Sequence, residues 1–502
     1  MDKEKIKKIV IENKYIIIIF ILSTTFFLYH HYANIVWDFT SYVSNAKYWA
    51  GLSNYYEPFR PPLVSFFIWL FSPLGWTISE YIYIVFVSVL FFYSNTRLAN
   101  AMKINKLFFY LFSLSPFVLF YGLWGGTELL SLAFLELFLA LFLEKKPYAG
   151  FSLGLACLAR YTFFIFTPLL FLTKDIKKIL QNISFFILTF IPWFAYNFYC
   201  SGNMFTSILD NYVFNIKNKI GVVYQPIDFI HFNGAITYLW PFLIIGLICV
   251  FYSWKSSCIN QQLTGFVKNE KINLIMLAIL ILSFYQYALN PTKIMRFLFS
   301  MSLPIAYFSV IGIYKIKQKS KTIFKISITF IILSNVIIFN GLIGGNNFEM
   351  RDSYIESINK LHDYGIYACR AYSNVWPIIN YLGKTTEPTP YTPNDAINSG
   401  GYIILFSSTK EFEWESNRTY QHQYPVVYEN EDFIILGDIS KCQPERIFNY
   451  TYIGSRYEHT LLAGNPINPN PCFQTFSEIE PMERFCNLLN NKGFTVDENR
   501  LK

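Results

Sequence analysis

Over the first two thirds of the chain, apolar residues run in stretches with neither period-two alternation nor a polar stripe every three to four positions, as at 15–28, 273–289 and 323–339. Helices that are apolar all round and near the ~20 residues a bilayer core requires predict membrane spans, not amphipathic surface helices. The pattern predicts eleven of them, at 15–32, 79–94, 107–122, 129–143, a short pair at 148–159 and 161–172, then 182–200, 236–254, 272–290, 298–314 and 322–341. The first run is too long for a removable signal peptide and lacks a small-residue cleavage site, so it reads as a retained anchor. The run 61–76 is interrupted by Pro61, Pro62, Pro73 and Gly75, which predicts an interfacial or partly inserted helix.

Beyond Gly341–Asn347 the apolar density falls and Gly/Asn punctuation appears. Residues 352–364 carry helical spacing, and 367–372, 402–406, 426–428 and 433–436 read as short strands. The expected architecture is a polytopic α-helical membrane protein, with a membrane domain over 1–341 and an extracytoplasmic domain over 342–502. The latter begins as a small α/β unit ending near Ile439 and continues as an extension rich in Asn, Pro and Cys. The tail shows no nucleophile motif, glycine loop or metal spacing, so its expected part is to help bind an acceptor or to cover a site.

Composition agrees. The chain is 53% hydrophobic, 20% aromatic and 15% charged, against about 25% charged in an ordinary soluble protein. A soluble enzyme, a disordered chain and a secreted disulfide miniprotein are excluded. Residues 1–341 hold 28 Lys/Arg and 13 Asp/Glu, whereas 342–502 hold 13 and 20. The basic clusters at 3–8, 97–106, 145–146, 174–178, 255–271 and 315–325 all fall on one side if the eleven spans are used. The positive-inside rule makes that side cytoplasmic, with the N-terminus inside and the tail outside. Counting 61–76 as a full span would invert every later loop. The lysines are scattered between apolar segments and form no basic face on a soluble module, which speaks against nucleic acid as a partner.

Cysteines and sequons fit an exported tail. Cys369, Cys442, Cys472 and Cys486 allow two disulfides in three pairings, and Asn417-Arg418-Thr419 and Asn449-Tyr450-Thr451 are glycosylation sequons. Cys157, Cys200 and Cys249 lie in apolar spans as small hydrophobes, and Cys258 falls in an inner loop.

Chemistry concentrates in the outer segments at 33–78, 121–128, 201–235 and 290–296. The first contains Trp37-Asp38-Phe39-Thr40-Ser41-Tyr42 and Glu57-Pro58-Phe59-Arg60-Pro61-Pro62-Leu63; the second, Trp124-Gly125-Gly126-Thr127-Glu128. Gly154-Leu155-Ala156-Cys157-Leu158-Ala159-Arg160-Tyr161 joins two short apolar runs, and Arg296 opens a late span. Carboxylates and cations at one membrane surface suit a reaction in which cations meet an anionic lipid headgroup and a carboxylate takes a hydroxyl proton.

Each residue also has a plainer reading. Asp38 could be a loop acid or helix cap, and Glu128 could sit in a first helical turn for its dipole. Arg160 could form a structural ion pair, Arg60 could snorkel, Arg296 and Lys293 could anchor a span, and Glu57 could be solvated. Glu136 reads as a hydrogen-bonded packing residue in mid-span. His30, His31 and His231 have no metal-ligand spacing, so a zinc site is unsupported. Most of the aromatic excess reads as lipid-facing packing, although Trp37, Tyr42, Trp49, Tyr55 and Tyr56 could line a sugar or acceptor groove.

Taken in order, these motifs resemble the GT-C superfamily of polyprenyl-phosphate-sugar-dependent glycosyltransferases. The resemblance covers most of residues 1–312 and is to the branch holding protein O-mannosyltransferases, lipid A aminoarabinose transferases and many archaeal relatives. It rests on an acid shortly after the first span, a basic-Pro-Pro-Leu element and an acid in the second outer loop. A Gly-Leu-Ala-x-Leu-x-Arg turn and a late Arg followed by Pro304 complete it.

The resemblance implies that Asp38 is the essential carboxylate and Glu128 the second-loop acid. It also implies that Arg160 lies near the donor phosphate, and that Arg60 matches the basic residue before Pro-Pro. Arg296 joins these as a phosphate contact, and Glu57, Tyr42 and Tyr161 are additional candidates. Many members have Asp-Glu where this chain has Asp38-Phe39, and His or Lys where it has Arg60. A divalent metal and the identity of the sugar therefore stay open, with no cofactor otherwise required. The expected function is an inverting glycosyltransferase in the cell membrane, moving a sugar from a polyprenyl (dolichyl-type) phosphate to a protein, glycan or lipid acceptor on the outer face. The alternative is a transporter or flippase of lipid-linked sugars. That class usually shows two related halves with paired broken helices, and this sequence has one short-span pair without a counterpart.

Overall fold

A computed structural model describes residues 14–445, apart from 54–55, 58, 174, 202–203, 206, 209–210, 212–224, 256–269, 291–292, 345–347, 391 and 410–412. Tyr55, Cys258, Cys472, Cys486 and the sequon at Asn449 lie outside the described residues. The protein is mostly helical with a small C-terminal sheet, and among the described residues seven helices are long and apolar enough to cross a membrane. These are Lys14–Ala33, Trp76–Ala101, Ile176–Cys200, Phe229–Tyr252, Glu270–Leu289, Met295–Lys319 and Lys321–Gly344.

The other four expected segments are helical but shorter or broken. The stretch 107–122 divides into Lys106–Ser113 and Pro116–Tyr121, because a residue before proline is pushed out of the helical region, here Ser115 at ψ 158. Glu128–Leu143 has 16 residues and Ala149–Ala159 has 11. Tyr161–Phe171 is a 3-10 helix containing Pro168, which has no amide to donate to the coil. Among the long segments, Thr237 (φ 53) breaks Phe229–Tyr252 internally.

Pro62–Phe71 forms a ten-residue helix of about 15 Å, half the thickness of a bilayer core. It buries Leu63, Val64 and Ile68 and exposes Phe66, Trp69 and Leu70. Both its faces are thus apolar, one packed against the protein and the other turned outward. Gly75 (φ +106) then turns the chain into Trp76–Ala101, a conformation open to glycine.

Met295–Lys319 is the innermost long helix, 89% buried over its apolar window, whereas Lys321–Gly344 is 6% buried. Gly246 and Gly312 allow helix Trp240–Lys255 to lie against Ser302–Lys319, since a Cβ on either would strike the partner's backbone. Close approach through small residues is the usual device for packing helices where lipid supplies little hydrophobic drive. Glu136 is fully buried and accepts a hydrogen bond from Asn95 Nδ2 at 3.1 Å, in keeping with its reading as a packing residue.

The tail is a small α/β unit. Helix Phe348–Asp363 precedes a five-stranded sheet of order β2-β1-β3-β5-β4, with β1 Ala371–Ser373, β2 Thr386–Pro388, β3 Tyr402–Phe406, β4 Val426–Glu429 and β5 Phe433–Leu436. β1 runs parallel to β2 and β3, and β5 is antiparallel to β3 and β4. The expected strand at 367–372 is shorter and shifted, and β2 was not expected, because Thr-Glu-Pro shows neither alternation nor an apolar run. Cys369 is bonded to Cys442, with Cα atoms 5.3 Å apart, which ties the start of the sheet to the segment after β5. Asn417 is exposed and caps helix Arg418–Gln421.

The tail docks on one end of the helix bundle. The Trp376 ring lies 4.6 Å from Trp37 in a T-shaped contact, and Tyr381 donates to Glu80 at 2.9 Å. His31 meets the same Glu80 oxygen at 3.1 Å, and Arg351 covers the Tyr32 ring.

Candidate functional site

The carboxylates and guanidiniums singled out in the sequence meet at this same end. Asp38 lies in the first turn of helix Trp37–Trp49. Its Oδ1 accepts from Arg60 at 2.8 Å and its Oδ2 accepts from Arg296 at 2.6 Å. Arg60 also donates through Nε to Glu57, and the same Arg296 nitrogen stands 4.0 Å from Glu128, which accepts in turn from Arg160. The result is one unbroken chain of alternating charge, Glu57–Arg60–Asp38–Arg296–Glu128–Arg160. Buried charges persist only when paired, and here every member has an opposite neighbour.

Local structure explains how each group reaches its place. Asn45 receives the Glu57 amide at 2.7 Å and donates to its carbonyl at 3.0 Å, so the loop carrying Glu57 and Arg60 is stitched to the helix carrying Asp38. Pro61 and Pro62 start the next helix directly after Arg60, a position suited to proline because the first-turn amides need no helical acceptor. Arg60 reaches Ser41 at 3.4 Å and lies over the Tyr42 ring, 5.2 Å from its centre. Glu128 opens helix Glu128–Leu143 and accepts from the Thr127 hydroxyl at 3.0 Å. Arg160 terminates Ala149–Ala159 in an extended conformation (φ −155) and bonds Thr162 at 3.2 Å.

The Trp124–Glu128 turn must pass very close to Asp38. A Cβ on Gly125 would come within 3.1 Å of Glu128 Oε2 and 3.5 Å of Asp38 Oδ2. Gly126 has φ +82, a Cβ there would stand 2.8 Å from Phe39, and its carbonyl accepts from Tyr83. Replacing Gly126 by Ala is therefore expected to destabilise the protein by about 1–3 kcal/mol through backbone strain and the clash with Phe39. The check is a lowered unfolding temperature in detergent, and an unchanged one would show that the turn relaxes freely.

Electrostatics sharpen the contrast between the acids. Burial alone would raise the Asp38 carboxyl, but the Arg296 and Arg60 guanidiniums outweigh it and hold the group well below the usual carboxylate range. Burial pushes the Tyr42 phenol up to about 12, with Asp38 and Glu128 adding to the rise and Arg60 opposing it. Exposure separates them further: the Asp38 side chain is 24% exposed and that of Glu128 1%. Asp38 is the most exposed of the three carboxylates in the chain.

Six of the expected residues are thus brought together, and Tyr42 lies directly beneath Arg60. Tyr161 is not in the chain of charges. Its hydroxyl meets Ser207 at 2.6 Å and accepts from Trp193 Nε1 at 3.0 Å, beside an aromatic cluster of Trp49, Trp193 and Tyr196. Lys293 donates instead to the Ala288 carbonyl at 3.0 Å. Asn45, Tyr83 and Thr127 were not singled out; only Thr127, inside the Gly-Gly-Thr-Glu turn, had a sequence signal.

No group of three or more His, Cys, Asp and Glu side chains placed to hold a metal ion occurs among the described residues. Asp38 and Glu128 both face guanidinium groups, so a divalent metal here would have to displace an arginine from a carboxylate.

Between the tail and the bundle lies a cavity of about 260 Å³ lined by Asn34, Trp37, Trp124, Arg351, Tyr354 and Thr409, among others. Trp37 and Trp124 are sequence neighbours of Asp38 and Gly125, so the cavity shares two backbone segments with the charged chain. Aromatic faces with polar partners and one cation suit a hydroxyl-rich ligand.

No protein-family description, curated protein or solved structure matches this chain.

Proposed function

We propose that the protein is an integral-membrane inverting glycosyltransferase that moves a sugar from a polyprenyl phosphate to an acceptor hydroxyl at the extracytoplasmic face. The observation that carries this reading is a partly exposed carboxylate, Asp38, held between two guanidinium groups in a chain that also contains Arg160. In the proposed reaction Asp38 takes the hydroxyl proton while the acceptor oxygen attacks the sugar's anomeric carbon from the face opposite the phosphate. The bond from that carbon to the phosphate oxygen breaks, and its electron pair leaves on the phosphate. Arg296, Arg60 and Arg160 neutralise the charge that develops there. Glu57 and Glu128 hold those guanidiniums in position, and the cavity against the tail receives the acceptor.

We further propose eleven traverses of the membrane, with the N-terminus cytoplasmic and the tail outside. The distribution of charge supports this. At the end of the bundle away from the site, Arg97 pairs with Glu144 at 2.6 Å, Lys271 lies over Phe142 and Lys317 over Phe324. Site and tail share the opposite end. Of the four short segments of the count, Glu128–Leu143 and Ala149–Ala159 are buried over most of their length, whereas Tyr161–Phe171 leaves Phe171 exposed.

The test is transfer from a panel of radiolabelled polyprenyl-phosphate sugars to hydroxyl acceptors in detergent. Transfer from at least one donor is the expected result. Donor binding with no transfer across the panel would favour the flippase reading instead, and absence of donor binding would remove both.

A further inference from the structure

The chain of charges is closed on itself. Three carboxylates face three guanidiniums, and both oxygens of Asp38 are occupied, Oδ1 by Arg60 at 2.8 Å and Oδ2 by Arg296 at 2.6 Å. A phosphate arriving here meets no surplus cation among these six groups and has to take guanidinium from a carboxylate. A carboxylate so engaged is a poor base, because each of its oxygens accepts a charged hydrogen bond that favours the ionised form. The site as it stands therefore has its base and its phosphate-binding groups locked to each other.

Which carboxylate gives way follows from exposure. The Glu128 side chain is 1% exposed and that of Glu57 10%, whereas that of Asp38 is 24% exposed. Stripping the partner from a buried carboxylate costs far more than doing so where water or substrate can replace it. Glu57 pairs with Arg60 on one side of Asp38 and Glu128 with Arg160 on the other, so both pairs can persist while the middle opens. Arg296 is the shared link, since one of its nitrogens lies between Asp38 and Glu128, at 2.6 and 4.0 Å.

We propose that the donor phosphate and Asp38 compete for Arg296 and Arg60, so that donor binding unlocks the catalytic carboxylate and the enzyme is obliged to bind donor before it can deprotonate an acceptor. The proposal rests on the glycosyltransferase reading and adds an order of events to it. Without donor, Asp38 is held unreactive and no acceptor or water is activated. With donor bound, the guanidiniums turn to the phosphate, and Asp38 recovers the basicity of an ordinary carboxylate. The proton it then takes from the acceptor is matched by the electron pair leaving on the phosphate oxygen, which the same arginines receive.

The experiment uses the full-length protein in detergent and farnesyl phosphate as the probe, with affinity measured by calorimetry. Asp38→Asn removes the competitor and is expected to bind the probe about tenfold more tightly than wild type. Glu57→Gln leaves both Asp38 oxygens bonded and is expected to gain less than about threefold. Equal gains in the two variants would mean that only bulk charge matters and would overturn the proposal, as would unchanged or weaker binding by Asp38→Asn. Carbodiimide labelling of Asp38 in wild type is the second readout: labelling should rise when farnesyl phosphate is bound, and unchanged or reduced labelling would also count against competition. Failure of wild type to bind the probe at all removes the donor reading and this proposal together, whereas binding without the Asp38→Asn gain removes this proposal alone.

Discussion

Asp38→Asn should lower sugar transfer by roughly 10²–10⁴-fold, the range expected when a positioned general base is removed. The loss should fall on the rate of the chemical step while donor binding tightens as proposed above, because Asn keeps the shape of the side chain but loses both the negative charge and the ability to take a proton. Single-turnover transfer from a preloaded donor separates the two. A variant that transfers within a few-fold of wild type would exclude Asp38 as the base and make Glu128 the next candidate. The pH profile supplies an independent check. Arg296 and Arg60 hold the Asp38 carboxyl well below its usual range, so the basic form persists as pH falls and is lost only below that range. Accordingly, kcat/KM, which reports the free enzyme, should show no acid limb from this group above about pH 4.

The second large effect is on stability. Arg160→Ala leaves Glu128, whose side chain is 1% exposed, without its nearest cation. Breaking one partner out of a buried pair typically costs about 3–5 kcal/mol. The lower end is expected here, since Arg296 remains 4.0 Å away from Glu128. The Arg160→Ala, Glu128→Gln double variant should recover most of that loss, because the uncompensated charge is gone, yet it should remain impaired in transfer, because a phosphate contact is missing. Thermal unfolding in detergent beside donor binding reads both quantities. Recovery of transfer together with stability would reduce Arg160 to a structural partner of Glu128.

How much of the site was legible beforehand depended on the kind of residue. Charged groups inside an apolar chain stand out because the membrane makes them costly, and that is why Asp38, Glu57, Arg60, Glu128, Arg160 and Arg296 could be picked out individually. The plainer readings were partly right as well, since Glu128 does open a helix and Arg160 does form an ion pair. Tyr161 was picked out for its place beside Arg160, but a side chain one residue along need not face the same way, and it faces Ser207 and Trp193. Asn45 and Tyr83 gave no signal, because a polar residue that bonds a distant backbone looks like any other in a list of letters.

The sequence by itself determined the class of the molecule. Long unbroken apolar runs leave few alternatives to helices in a bilayer, and short alternating segments after Gly341 already indicated a separate small α/β unit. Its prolines and glycine also set the run 61–76 apart as an expected interfacial or partly inserted helix. Only the tertiary structure decided the pairing. Asp38 and Arg296 are 258 residues apart, and no local rule links them. The Cys369–Cys442 bond was one of several pairings open to the tail cysteines. Contacts of that range are fixed by how helices pack, through features such as Gly246 and Gly312 that let backbones touch. Periodicity reports which face of a segment avoids water and says nothing of which distant segment will cover it. The order of the charges along their chain therefore exists only in the folded protein.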